Sequence, residues 1–110
     1  MYGLISQILA VPAKRDELGA ILAGMDSMPG CLSYVVGGDP ADPDALWVTE
    51  VWETQQDHTD SLELPGVQAA IALGRPLIAG FGSRTETEPI GGIGLSRPAS
   101  PSPAVGTRPG

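Results

Sequence analysis

The chain has 110 residues, room for one domain, and carries 13 acids against 6 bases for a formal charge of −7. That excess repels phosphate backbones and anionic lipid, so binding to nucleic acid or to a membrane surface is not expected. Cys31 is the single cysteine, which excludes an internal disulfide and gives no sign of an oxidising compartment.

Residues 2–11, YGLISQILAV, are β-prone and free of charge, and they read as a first strand buried on both faces. Leu4, Ile8 and Ala10 share one side; Ile5, Leu9 and Val11 share the other. No basic segment or long apolar run precedes the strand, so no signal peptide is expected, and no stretch reaches the ~18–20 apolar residues of a membrane span. A cytoplasmic location follows as the expectation. After Pro12, the residues Leu18, Ile21, Leu22, Met25 and Met28 recur at the spacing of one helical stripe, with Lys14, Arg15, Asp16 and Glu17 on the solvated side. Gly19 and Gly24 weaken this helix by ~1 kcal/mol each relative to Ala, so it requires packing against a sheet, and Met28-Pro29-Gly30 stops it.

A second strand, CLSYVVGG at 31–38, is followed by the loop Asp39-Pro40-Ala41-Asp42-Pro43-Asp44, whose prolines cannot donate to a ladder. LWVTEVWE at 46–53 reads as its hairpin partner. Thr54 caps a short helix over about 55–63, with Asp57 reaching back in a capping box. Pro65 suits the first turn of a further helix bearing Val67, Ala70 and Ile71 on one face, and Arg75-Pro76 bends or ends it. Residues 80–88 alternate as a last strand, with Arg84, Glu86 and Glu88 on one side and Phe81, Ser83, Thr85 and Thr87 on the other.

The order β-α-β-β-α-β is the ferredoxin-like split pattern of an α+β fold. Helices cover one face of such a sheet, yet the first strand is apolar on both. A core of about 88 residues also buries only ~60–65% of its unfolded surface as a monomer. Both features call for a face-to-face homodimer, a dimeric α+β barrel. Residues 89–110 hold five prolines and five glycines and no aromatic residue, so they read as a partly disordered tail. Ile90, Ile93 and Leu95 are candidates to dock on the dimer before the tail becomes disordered. Within residues 1–88 the 13 acids face 4 bases, a net −9.

Three stretches in order, MPGCLSY at 28–34, TEVWE at 49–53 and LPGVQAAIALGRPLIAGF at 64–81, resemble the antibiotic biosynthesis monooxygenase family over residues 1–88. The resemblance implies oxidation of an electron-rich phenol, anthrone or hydroquinone by O2 with no metal, flavin or haem, in a pocket between each subunit's sheet and its helices. It therefore implies no cofactor, and a small aromatic substrate and O2 as partners. Relatives of this barrel perform unrelated reactions, so an isomerase or cyclase of a small aromatic or polyketide metabolite, or a non-catalytic binding barrel, stands beside that reading. Many family members carry a histidine three residues after His58, where this chain has Ser61. A haem-degrading branch uses an Asn on the first strand, a Trp in the second helical segment and a His in the next helix. This chain has no Asn, and Ser61 and Ile71 fall in the other two slots, which argues against haem degradation.

His58, the only histidine, is the candidate base, placed by helical geometry on the face of Leu62 and so leaning inward. Its bland alternative is a half-exposed ring beside Asp57 and Asp60. Glu50 and Trp52 share a strand face with Leu46 and Val48. A carboxylate there is either a substrate contact or half of an ion pair with Arg84 or Arg75. Trp52 is core or a flat wall for an aromatic ligand. Tyr34 and Arg84 are candidates to stabilise a substrate oxyanion, and Ser61 and Arg75 to line the site; Tyr34 could equally be a rim residue, and either arginine a structural ion-pair partner. No paired Cys or His offers a metal set.

Overall fold

A computed structural model of the chain describes residues 1–95, and the expected tail beyond them lies outside the described residues. Strand β1 (Tyr2–Ala10) leads through a turn into helix α1 (Arg15–Ala23), and β2 (Cys31–Gly38) and β3 (Ala45–Trp52) form a hairpin. Helices α2 (Gln55–Ser61) and α3 (Pro65–Gly74), with a 3-10 turn over Arg75–Leu77, precede β4 (Ile78–Thr87). The strands make one antiparallel sheet in the order β2-β3-β1-β4, with β1 and β3 at its centre. This is the expected ferredoxin-like α+β fold.

All three helices cover the side of the sheet that carries Tyr2, Leu4, Ile8 and Ala10 of β1 and Leu46, Val48 and Trp52 of β3. Alternation explains the choice, because side chains one residue apart leave a strand on opposite faces. Two clusters form there. Tyr2, Leu4 and Trp52 pack with Met28 and Cys31 at one end, and Ala10, Leu18 and Leu46 pack with Ile8, Leu22 and Val36 at the other. Leu18 is fully buried, and Gly74 lets α3 approach it: a β-carbon at 74 would lie 3.1 Å from Leu18 Cδ1.

Four local expectations are corrected. Helix α1 ends at Ala23 with Gly24 as its cap, so Met25 and Met28 leave the helical stripe and enter a loop in which Ser27 and Gly30 hold positive φ. Apolar spacing cannot outweigh a glycine inside a nine-residue helix and a second one directly after it. Helix α2 stops at Ser61 rather than 63. Its capping box is half formed: Thr54 Oγ1 accepts from the Asp57 N–H at 3.0 Å, while the Asp57 carboxyl packs against Gly30. In β4 the simple alternation fails, because the partner of Ser6 is Arg84 and the partner of Ile8 is Phe81. The extra residue of this bulge turns Phe81 to the same side as Arg84, toward the helices.

The opposite sheet face presents Ile5, Leu9, Trp47 and Val51 half-buried and Val35 58% exposed. Asp39 closes one edge of it, accepting from Trp47 Nε1 at 2.9 Å, Gln7 Nε2 at 3.3 Å and the Ala41 N–H at 2.8 Å. No described helix is long and apolar enough to cross a membrane. Ile90 and Ile93 are exposed in the single chain.

Candidate functional site

The first polar constellation sits at the Tyr2–Trp52 end of the sheet. Strand β3 places Glu50 between Val48 and Trp52 on the helix side, opposite Leu4 of β1 and Tyr34 of β2. The Thr54 cap starts α2 immediately beyond the strand, and the first turn then swings His58 back over the sheet. Its ring lies 5.6 Å from the Tyr2 ring and 5.5 Å, edge-on, from the Trp52 ring. Its Nε2 is 3.8 Å from Glu50 Oε1, the oxygen that also accepts from Trp52 Nε1 at 3.0 Å. The His58 and Glu50 side chains are only 16% and 12% exposed.

His58 does lean inward, but not for the reason the helical face suggests. Leu62 is 44% exposed, and the buried neighbour is Ser61, whose hydroxyl donates to the His58 carbonyl at 2.6 Å. Ser61 is therefore bonded within its own helix. Arg84 stands opposite Ser6, its side chain exposed, with no ion pair to Glu50. Arg75 lies at the other end of the sheet, where the α3 carboxyl end meets the 3-10 turn. Within one chain Glu50 therefore meets Trp52 and His58, while the alternative also allows an ion pair with an arginine of a partner chain.

Burial pushes the Glu50 carboxyl above its ordinary range, opposed by the Trp52 N–H and by the charges of His58 and Arg84. Burial, with the charge of Glu50 and then of Cys31, pushes the Tyr34 phenol up strongly. The Cys31 thiol is raised by burial as well. Tyr2 donates to Glu86 Oε2 at 2.7 Å, and burial and that carboxylate raise its phenol. Tyr2, Cys31 and Glu86 were not among the residues singled out from sequence. The pairing of Tyr2 with Trp52 across β1 and β3 was the available signal, since a tyrosine and a tryptophan opposite each other make a wall.

A cavity of about 620 Å³ occupies the other end of the same face, between the sheet and helices α1 and α3. Its lining is apolar apart from one group, Arg75, and it includes Ile8, Leu22, Ile71, Ile78 and Phe81. Glu50 opposes Leu4 and the cavity begins at Ile8, four residues or ~13 Å along the strand. Tyr34, Glu50, Trp52 and His58 are thus brought together, Arg84 stands between the two ends, and Arg75 belongs to the cavity. Among the described residues no group of three or more His, Cys, Asp or Glu could hold a metal ion.

A four-stranded sheet roofed by helices, with a buried Glu–His pair and an apolar cavity on the covered side, is an arrangement suited to holding a small molecule on a ferredoxin-like α+β fold. The family model for antibiotic biosynthesis monooxygenase matches residues 1–73. A crystal structure from Chloroflexus aurantiacus, provisionally described as an antibiotic biosynthesis monooxygenase, is similar at 58% identity, covering 86% of this chain and 98% of that one with a TM-score of 0.83. One from Deinococcus radiodurans with the same provisional description is 26% identical over 84% of this chain and 96% of that one, with a TM-score of 0.66. A third, from Caulobacter crescentus, is 21% identical over 82% and 90% with a TM-score of 0.72, and shows the fold. No curated protein matches. The chain belongs to the antibiotic biosynthesis monooxygenase family.

Proposed function

We propose that this protein is a monooxygenase that needs no bound cofactor and oxidises a quinol, an anthrone or a related phenolic aromatic with O2. The observation that carries the reading is the Glu50–His58 pair, two largely buried ionisable side chains at 3.8 Å on the covered face of the sheet. Proton removal is the step such a substrate requires from a protein. Once its hydroxyl or activated C–H loses a proton, the electron-rich ring can pass one electron to O2. The two radicals then join through a C–O bond. For an anthrone the ring methylene becomes a carbonyl, and the second oxygen atom leaves as water with the two hydrogens removed.

His58 is the base in this scheme, and Glu50 holds its ring through Nε2 and stabilises the imidazolium. Tyr34 and Arg84 stabilise the developing oxyanion, and Trp52, fully buried in the core, supports Glu50 through its indole N–H. The apolar surroundings keep water from the radical pair. We also propose that the protein works as a homodimer joined through the outer sheet face, which the fold leaves without helices.

Metal-stripped protein mixed with menadiol or an anthrone in an oxygen electrode tests the reading. Protein-dependent uptake is expected, falling ~10²–10⁴-fold in the His58→Ala variant. Absence of uptake with both substrate types overturns the oxidative assignment. Turnover without oxygen consumption moves the same acid–base pair to an isomerase or cyclase.

A further inference from the structure

In residues 1–88 the acids outnumber the bases 13 to 4. Lys14 and Arg15 pair with Glu17 and Asp16. Among the described residues neither Arg75 nor Arg84 forms an ion pair, and Arg75 is set apart as the single charge on the lining of the 620 Å³ cavity, where no carboxylate accompanies it. The cavity also leaves Phe81 72% exposed, and the β4 bulge is what turns this ring toward the helices. A large aromatic left open on a cavity wall is a stacking surface. A planar guanidinium beside it matches the two oxygens of a carboxylate.

We propose that the cavity binds an aromatic carboxylate, its ring system lying between Phe81 and Ile71 and its carboxylate on Arg75. The proposal deepens the reading of this chain as an aromatic-binding protein but does not depend on its oxidative chemistry. The cavity volume falls within the ~300–1,000 Å³ of small-ligand pockets and suits two or three fused rings. The Glu50–His58 pair lies ~13 Å away along the strand and is not part of this lining. Arg75 is then a specificity residue that selects aromatic ligands carrying an acid group.

Anthracene-2-carboxylate and its neutral counterpart anthracene-2-methanol, both fluorescent, probe the cavity without any turnover. The wild type is expected to bind the carboxylate about tenfold more tightly than the alcohol. Arg75→Gln is expected to erase that preference and Arg75→Lys to retain part of it, since Arg75 is exposed and its replacement leaves the core untouched. Ile71→Trp, which fills the cavity, should weaken both probes. Failure of the carboxylate probe to bind, equal binding of the two by the wild type, or a preference that survives Arg75→Gln overturns the proposal. A simple helix-capping role for Arg75 would lower the melting temperature of Arg75→Gln and leave the preference intact, which also overturns it. Carboxylate preference without oxygen uptake would keep the cavity assignment and remove the oxidative one, and uptake without preference would do the reverse.

Discussion

Glu50 is the residue at which packing and chemistry conflict most openly. Its carboxyl sits among Leu4, Val48 and Trp52, and burial raises its affinity for a proton above that of the unfolded chain. Folding therefore takes up a proton in the interval between the two titrations, and stability declines as the pH rises through that interval. Glu50→Gln keeps an oxygen for the Trp52 indole but cannot ionise. This variant is expected to melt at or above the wild type near pH ~8, the difference shrinking toward the ordinary carboxylate range at pH ~4. Differential scanning calorimetry across that range checks the sign, and a variant less stable than wild type at high pH would show that the charged form is favoured by the fold. Its oxygen uptake is expected to fall with that of His58→Ala, because an amide cannot stabilise an imidazolium. From the sequence, a carboxylate on an apolar strand face was legible as an anomaly. Its partner was not, since contact with His58 depends on where α2 returns over the sheet.

At the scale of elements, Gly30 joins three of them. It precedes β2, its carbonyl accepts from the Glu53 N–H at 2.8 Å just past β3, and its open α-carbon leaves space for the Asp57 carboxyl of α2. Its φ of +83° lies in the region that disfavours side chains, and a β-carbon there would come within 2.5 Å of Asp57 Cγ. Gly30→Ala is expected to cost ~1–3 kcal/mol in urea denaturation and to displace α2, with His58 on it. An unchanged unfolding midpoint would refute this account of how α2 is seated. Element order and type could be read from periodicity and punctuation, with Pro65 and Thr54 falling where helix starts require them. The bounds could not: α1 stops early at Gly24, and the β4 bulge inverts the side of Phe81. A one-residue slip in a strand carries no composition signature, because pairing with β1 creates it.

Over the whole molecule, the outer sheet face remains the open account. Val35 stands 58% exposed near half-buried Ile5, Leu9, Trp47 and Val51, an apolar surface that one chain leaves in water. Light scattering of the wild type is expected to give a dimer, and Val35→Glu, placing a charge where the two sheets would meet, a folded monomer. A wild-type chain that stays monomeric at high concentration removes the dimer.

Composition, alternation and turn residues carried the architecture, because a strand apolar on both faces and two amphipathic helices leave few ways to bury their surfaces. The same local rules also placed Glu50 and Trp52 on one face. Whether Arg75 and His58 shared a site was a different kind of question. They are 17 positions apart in sequence, and the intervening α3 carries Arg75 to the far end of the sheet while α2 turns His58 back toward Tyr2 and Trp52. Distances between groups on different elements follow from how those elements pack, and packing is a property of all the side chains at once.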